Sequence, residues 1–393
     1  MLPEGWNIIP LEALALVERG RFSVRPRNDP RYYGGKMPFV QTGDISSSEC
    51  YLNSYSQTLN DAGVNVSKVF EKNAILMTIA ANIGDSAITQ FAVACPDSVV
   101  GIQPYTDKAN VVWLKYTLDT FKESLSNQAG KNAQKNINLQ VLKPLAIPTP
   151  PLAEQKKIAE ILSTWDEAIS VVDKQLENCR QQKKALMQQL LTGKKRLPGF
   201  SGEWRKVKLG TLLKEEGPRN KGDKVTRVLS VTNHSGVIPP EEQFAKRVAS
   251  ENISTYKIIR KGQFGYNPSR LNVGSFGRLD RFEEGILSPL YVIFSVDETR
   301  LLSDYFLTWM YSEEATQKIK SSTQGSVRDS VNFDALSVFS FMLPPIDEQK
   351  AISQIFADGE KELSLLEQKR ELLNQEKKSL MQQLLTGKKR VAV

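Results

Sequence analysis

Few residues of this 393-residue chain stand in arrangements that catalysis uses. Asn267-Pro268-Ser269-Arg270 begins like the Asn-Pro-Pro-aromatic segment of amino-group DNA methyltransferases. It lacks the second proline and the ring that would stack on a flipped base, so it is discounted. Glu154-Gln155-Lys156 and Glu348-Gln349-Lys350 carry the Glu-x-Lys half of a nuclease site. Each falls in what reads as a first helical turn, where the helix dipole already favours an acid. There is no Gly-x-x-x-x-Gly-Lys-Ser/Thr loop and no Gly-x-Gly-x-x-Gly, so nucleotide chemistry has no visible site. The only histidine, His234, lies in a turn-like Thr-Asn-His-Ser-Gly stretch, which removes schemes needing two imidazoles and most zinc chemistry. Cys50, Cys95 and Cys179 are too few for a disulfide framework and fit a reducing compartment. The chemistry that remains is binding: no metal, no cofactor and no catalytic residue is assigned to this chain.

Its net charge of +8 permits a nucleic-acid partner without demanding one. Divided by region, residues 1–149 carry 14 basic against 13 acidic side chains, and residues 150–200 carry 9 against 6. No part is strongly basic overall. One local stretch is: Arg19, Arg21, Arg25, Arg27, Arg31 and Lys36 face only Asp29 in the same segment, with Tyr32 and Tyr33 interleaved. Arginines among aromatics suit phosphate gripping and base-edge contact. Arg219, Lys221, Lys224 and Arg227 form a second basic stretch, diluted by Glu215, Glu216 and Asp223. Two further sets are candidates for DNA contact: Lys131, Gln134 and Lys135 beside Gly130, and Arg270, Asn272 and Arg278 around Gly274. A charge run is as often a plain solvated face, and glycine-flanked polar loops are common in proteins that bind nothing.

The elements that must position these residues come from an internal repeat. Leu186 to Arg196 recurs letter for letter at Leu380 to Arg390, an offset of 194, and residues 150–196 share 23 identities with 344–390 without a gap. Fainter echoes pair Trp6 and Leu11 with Trp204 and Leu209, Ile83-Gly84 with Val273-Gly274, and Gly130 and Asn138 with Gly325 and Asn332. Each copied segment predicts a long helix. A Pro-Pro pair precedes it, a glycine (Gly193 or Gly387) follows it, and Lys-Lys-Arg favours the negative helix end. A heptad stripe runs through Ile158, Leu162, Trp165, Ile169, Val172, Leu176, Cys179, Lys183, Leu186 and Leu190. The second copy keeps the register through Ile352, Phe356, Gly359, Leu363, Leu366, Arg370, Leu373, Lys377, Leu380 and Leu384. About 40 residues at 1.5 Å each make rods of roughly 60 Å. An isolated heptad usually marks a dimerisation element. Two matched helices can instead pair within the chain, in either orientation; antiparallel pairing would place the intervening regions at opposite ends, related by a pseudo-twofold.

The intervening regions mix β-rich runs (Val225 to Val231, Ser288 to Phe294) with helical patches (Val111 to Ser124, Asp304 to Lys320), so each reads as an α+β domain. The boundaries are 1–149 for the first domain, 150–196 for the first spacer helix, 197–343 for the second domain and 344–393 for the second spacer helix. The first 20 residues carry no basic start, unlike a signal peptide, and no window has the roughly 18 apolar residues of a membrane span. A cytoplasmic protein is expected.

Pro-Pro-Leu-Ala-Glu-Gln-Lys-Lys-Ile opening a long helix, Leu-Leu-Thr-Gly-Lys closing it, and the repetition of both resemble the specificity subunits of type I restriction–modification systems. Leu197-Pro198-Gly199-Phe200 leading to Glu203-Trp204, echoed by Leu2-Pro3-Glu4-Gly5-Trp6, is similar to that family's opening of a recognition domain. The resemblance covers the whole chain. It implies two target recognition domains, each reading one half of a bipartite, asymmetric site in double-stranded DNA. The two helices would pack antiparallel as a coiled-coil spacer and dock two modification subunits, which bind S-adenosylmethionine and methylate adenine. Restriction subunits would supply ATP- and magnesium-dependent translocation and cleavage in phage defence. The helices would then act as a ruler, and four residues added after Leu191 and to the partner helix would lengthen it by about 6 Å, close to two base-pair steps of ~3.4 Å. Two rival readings are a coiled-coil scaffold with two protein-binding domains, and a specificity subunit of a methylation-only or phage-defence complex.

Overall fold

The computed structural model describes residues 2–129, 136–233, 236–242, 253–323 and 330–392. The chain is α+β and forms two compact units: residues 1–173 with 368–393, and residues 174–367. Each unit joins one globular domain to one half of an antiparallel helix pair. The two long helices are Leu152–Leu190 and Ile346–Leu384, each 39 residues and about 58 Å long at 1.5 Å per residue. The division between units falls in the middle of each.

The helices begin and end for the same local reasons. Pro151 and Pro345 accept the first helical hydrogen bonds, from the Gln155 and Gln349 amides at 3.0 Å. At the other end Gly193 (φ 70°) and Gly387 (φ 73°) turn left-handed. That turn lets the Lys195 amide reach Gln189 O and the Lys389 amide reach Gln383 O, both at 3.1 Å, satisfying carbonyls the helix leaves open.

In the first unit, Asp166 on one helix pairs with Lys377 on the other, and Asp173 with Arg370 at 2.6 Å. In the second, Lys183 pairs with Glu360, and Arg180 with Glu367 at 2.8 Å. As one partner number rises the other falls, which fixes the antiparallel direction within each unit. Asp166–Lys377 and Glu360–Lys183 occupy equivalent repeat positions, so the polar break in each apolar stripe is met by an acid. Of the stripe, Ile158, Leu162, Ile169, Val172, Leu176, Leu190, Ile352, Phe356, Leu363 and Leu384 are buried, and Trp165, Leu186, Leu366, Leu373 and Leu380 are half-buried. Arg370 is exposed. At the helix ends these residues belong to domain cores: Ile158, Leu162 and Leu384 pack with Trp113 and Leu114 in the first unit, and Leu190, Ile352 and Phe356 with Trp309 and Phe306 in the second.

The first domain is built on a five-stranded sheet in the order Ala15–Arg19, Val99–Pro104, Ile75–Thr78, Ser86–Thr89, Tyr51–Leu52, the last strand parallel to its neighbour. A second sheet joins Gln57–Leu59, Tyr33–Phe39, Val93–Cys95 and Lys68–Phe70. The second domain repeats the central order as Leu213–Glu216, Val292–Val296, Phe264–Tyr266, Phe276–Arg278, all antiparallel. It pairs Lys257–Arg260 with Glu284–Leu287 where the first domain pairs Lys68–Phe70 with Val93–Cys95. In both domains a two-stranded ribbon leads to the long helix: Asn7–Pro10 with Ala146–Thr149, and Arg205–Lys208 with Ser340–Leu343. Among the described residues no helix is long and apolar enough to cross a membrane.

Two β-runs expected from sequence are shorter than their composition implies. Of Val225 to Val231 only the end enters a strand, Ser230–Thr232, and Val228 meets Ile286 in an isolated bridge. Of Ser288 to Phe294 the first four residues are a turn closed by Tyr291 N to Ser288 O at 3.0 Å, with Pro289 inside it, and the strand is Val292–Val296. Helical patches divide: Val111–Thr120 then Lys122–Ala129, and Ser303–Met310 then Glu313–Thr323.

Candidate nucleic-acid interface

Each globular domain is held at its helix by the same buried lock. In the first unit Glu154 is 1% exposed; Trp6 Nε1 donates to it at 3.1 Å, and Arg390 grips it through two nitrogens at 2.7 and 2.9 Å. Arg390 also donates to Glu4 O at 2.8 Å. In the second unit Glu348 is fully buried, Trp204 Nε1 donates at 2.9 Å, and Arg196 binds it twice at 2.6 Å while donating to Gly202 O at 2.8 Å. The carboxylates hold both guanidinium pKa values above the ordinary range, through the hydrogen bonds they accept. The next residue completes the joint. Gln155 receives Asn110 N and donates to Lys108 O and Pro150 O; Gln349 receives Leu302 N and donates to Arg300 O and Pro344 O. The Glu-Gln pair is therefore a joint between helix and domain, a use that its position in a first helical turn did not reveal.

Fixed on this joint, the first domain carries its arginines around one turn. Arg21 O accepts from Lys68 N at 3.2 Å, and Phe22 bridges to Ser67, so the basic stretch lies against the strand pair 68–70 and 93–95. Arg19 donates to Asp97 O at 2.5 Å, Arg21 to Ser67 O at 3.2 Å, and Arg25 to Phe22 O and Val24 O at 3.2 and 2.7 Å. These three are exposed and form no ion pair with a described residue. Arg27 pairs with Asp97 at 2.7 Å, and Arg31 with Asp29 at 2.7 Å. The Arg31 hydrogen bonds hold the Asp29 carboxyl below its usual range. Lys36 is exposed and forms no ion pair with a described residue. The stretch that opposes only Asp29 in sequence thus meets a second acid in space, Asp97, brought by the turn between Val93–Cys95 and Val99–Pro104.

In the second domain the corresponding segment bridges Arg219 to Lys257, and Arg219 donates to Thr255 O. Lys221 and Lys224 are exposed. Arg227 stacks over the Phe282 ring at 4.2 Å. Burial lowers the Lys257 ammonium below its usual pKa against the pull of Glu215, and the Arg219 charge adds to the lowering. Arg270 is exposed in the short 3-10 helix Pro268–Val273, which Asn267 caps by accepting Ser269 N at 3.1 Å. That cap gives Asn267-Pro268 a structural use. Asn272 lines a small cavity of about 90 Å³ with Tyr311 and Thr316. Arg278 is held by Asp280 at 2.6 Å and Asp304 at 2.8 Å, which offset its charge; among the candidates it is the poorest fit to a phosphate. Gly84 (φ 88°) and Gly274 (φ 92°) make equivalent left-handed turns before the strands Ser86–Thr89 and Phe276–Arg278. Lys131, Gln134, Lys135 and His234 lie outside the described residues. Among the described residues no group of three or more His, Cys, Asp or Glu is placed to hold a metal ion.

A family described as the type I restriction modification DNA specificity domain matches residues 3–178 and 289–375. The chain belongs to this family of type I restriction–modification specificity subunits, the non-catalytic, DNA-recognising members of their complexes. A Methanocaldococcus jannaschii chain assigned as the MjaX type I restriction enzyme specificity subunit is 24% identical, over 99% of this chain and 95% of its own length. The MjaVIII specificity subunit of the same organism is 21% identical over 82% of this chain and 80% of its own. Among solved structures, one of a type I restriction–modification system has a TM-score of 0.60 at 16% identity, covering 98% of this chain and 99% of that chain. The crystal structure of the system's S subunit from M. genitalium has a TM-score of 0.58 at 14% identity, covering 96% of each. At these identities the structures speak for the fold.

Proposed function

We propose that each domain reads one half of a bipartite, asymmetric DNA site and that the helix pair sets the length of the unread gap. The observation that carries this reading is the duplicated Trp–Glu–Arg joint, which mounts on each helix end a domain with the same central strand order but a different surface. A frame copied so closely suits a shared task, and faces as unlike as these suit two different DNA words. Contact falls to Arg19, Arg21, Arg25, Arg27, Arg31 and Lys36 in the first domain. In the second it falls to Arg219, Lys221, Lys224, Arg227 and Arg270, with Asn272 lesser and Arg278 least. Lys131, Gln134 and Lys135 remain candidates on sequence alone. Two modification subunits that carry S-adenosylmethionine dock on the helices and methylate adenine. Restriction subunits add ATP- and magnesium-driven translocation and cleavage, and the assembly works in the cytoplasm. Methylation-sensitive sequencing of a host carrying this chain and its modification subunit tests the reading. Two unlike half-sites separated by an unread gap are expected; one uninterrupted word, or no new methylation, contradicts it.

A further inference from the structure

The turn that presents Asp97 in the first domain has a counterpart in the second. Ala94-Cys95-Pro96-Asp97 aligns with Leu287-Ser288-Pro289-Leu290, and each segment links equivalent strands, Val93–Cys95 to Val99–Pro104 and Glu284–Leu287 to Val292–Val296. The flanking basic segments correspond as well: Arg21 O receives Lys68 N, and Pro218 O receives Ile258 N. The residue at the tip does not correspond. The Asp97 carboxylate ties down Arg27, whereas Leu290 is 78% exposed, the most exposed large apolar side chain described.

We propose that Leu290 enters a groove of the bound DNA and makes the apolar base contact of the second domain. This inference rests on the function proposed above. A single exposed leucine is ordinary on a protein surface, so its setting has to carry the argument. Three chain segments lie side by side here. Arg219 bridges to Lys257, Lys257 pairs with Leu287, and Leu290 stands three residues further on, at the tip of the tight turn. Lys257 Nζ donates to Tyr291 O at 2.7 Å and so fixes the turn. Arg219, Lys221 and Lys224 stand exposed on the adjoining segment, with Asp223, Glu216 and Glu215 the nearest acids in sequence. Basic side chains beside an uncharged tip match a duplex, whose phosphates flank grooves that present thymine methyls and base-step edges to apolar groups. In the first domain Asp97 at the same tip would face phosphates with like charge, so its arginines must do the reading.

The test uses the full chain with its modification subunits and a fluorescent duplex bearing the site that the wild-type methylome defines. Binding is titrated at several salt concentrations. Leu290→Ala should raise Kd about tenfold, the scale of one buried leucine side chain. The salt slope should stay as in the wild type, because no phosphate contact is lost. Leu290→Asp should raise Kd further, and Val338→Ala, at a site 62% exposed elsewhere in the second domain, should leave it unchanged. In the methylome of the Leu290→Ala host, one half-site should become degenerate and the other should not. All three substitutions lie at exposed positions, so folding is not at stake. Equal Kd for Leu290→Ala and the wild type would overturn the role of Leu290 alone. Failure of the wild-type complex to bind would overturn the function on which it rests.

Discussion

At the helix ends the two halves of this molecule agree contact for contact; at the turn beside the basic stretch they part. Trp6, Glu154 and Arg390 repeat as Trp204, Glu348 and Arg196, and the Gln155 amide repeats its three bonds as Gln349. Asp97 and Leu290, on equivalent turns, have opposite character: one pairs with a basic neighbour, Arg27, and the other offers no charge to pair with. The difference teaches where each kind of constraint acts. A buried carboxylate with an indole and a guanidinium allows almost no substitution, since any loss strands the other partners away from water. A turn tip in solvent constrains nothing in the fold, so its residue is free to answer to a ligand.

The largest effect should come from breaking a joint. Glu348→Ala would leave Trp204 Nε1 and the Arg196 guanidinium without their acceptor and should cost about 3 kcal/mol in denaturant unfolding of the second unit, the low end for a buried pair because Arg196 is partly exposed. Glu154→Ala should cost the first unit slightly less, as Arg390 is the more exposed partner. Unequal costs in the reverse order would break the equivalence. Next comes Arg21, Arg25, Arg27 and Arg31 replaced together by alanine. DNA affinity at low salt should fall by about a hundredfold and the salt slope should flatten by two to four, at roughly 0.9 per phosphate contact. Unchanged affinity across salt would remove them from the interface. Tyr116→Phe follows: its hydroxyl donates to Asp166 and its ring lies 4.8 Å from Lys377 Nζ, a tether of domain to helix pair for which the second unit has Thr308 in the equivalent place. Loss of the bond should lower the stability of the first unit by about 1 kcal/mol and leave the second unchanged. The smallest effect sharpens the contrast of the turns. Asp97→Asn should release Arg27 and tighten DNA binding about threefold, with a slope steeper by up to 0.9.

The helices were legible in sequence because their signals are local: Pro-Pro before, Gly after, apolar residues every three or four between, and all of it twice. The joint was not, because Glu154 alone is an ordinary first-turn acid. The signal that finds it is joint repetition: a Trp, a Glu-Gln and an Arg recur together at offsets of 194 to 198, and residues that recur together are placed together. The neutralisation of Arg27 had no sequence signal, since Asp97 lies 70 positions away. The β-run at Ser288 is shorter than its composition implies, because composition reports apolar content and not where Pro289 forces a turn.

Leu190 and Leu191 lie in the core of the second unit, and Gly193 packs against Trp204. A lengthening of the helices after Leu191 would therefore tear the joint it aims to move. The residues to separate are Lys174 and Gln175 on one helix and Gln368 and Lys369 on the other, in mid-helix, away from both joints. Adding four residues at each place lengthens the pair by about 6 Å, close to two base-pair steps of ~3.4 Å. The methylome of a host carrying this variant and the modification subunit should show both half-sites unchanged and the unread gap longer by about two base pairs. A gap that stays fixed while either half-site changes would contradict the helix pair as the element that sets the spacing.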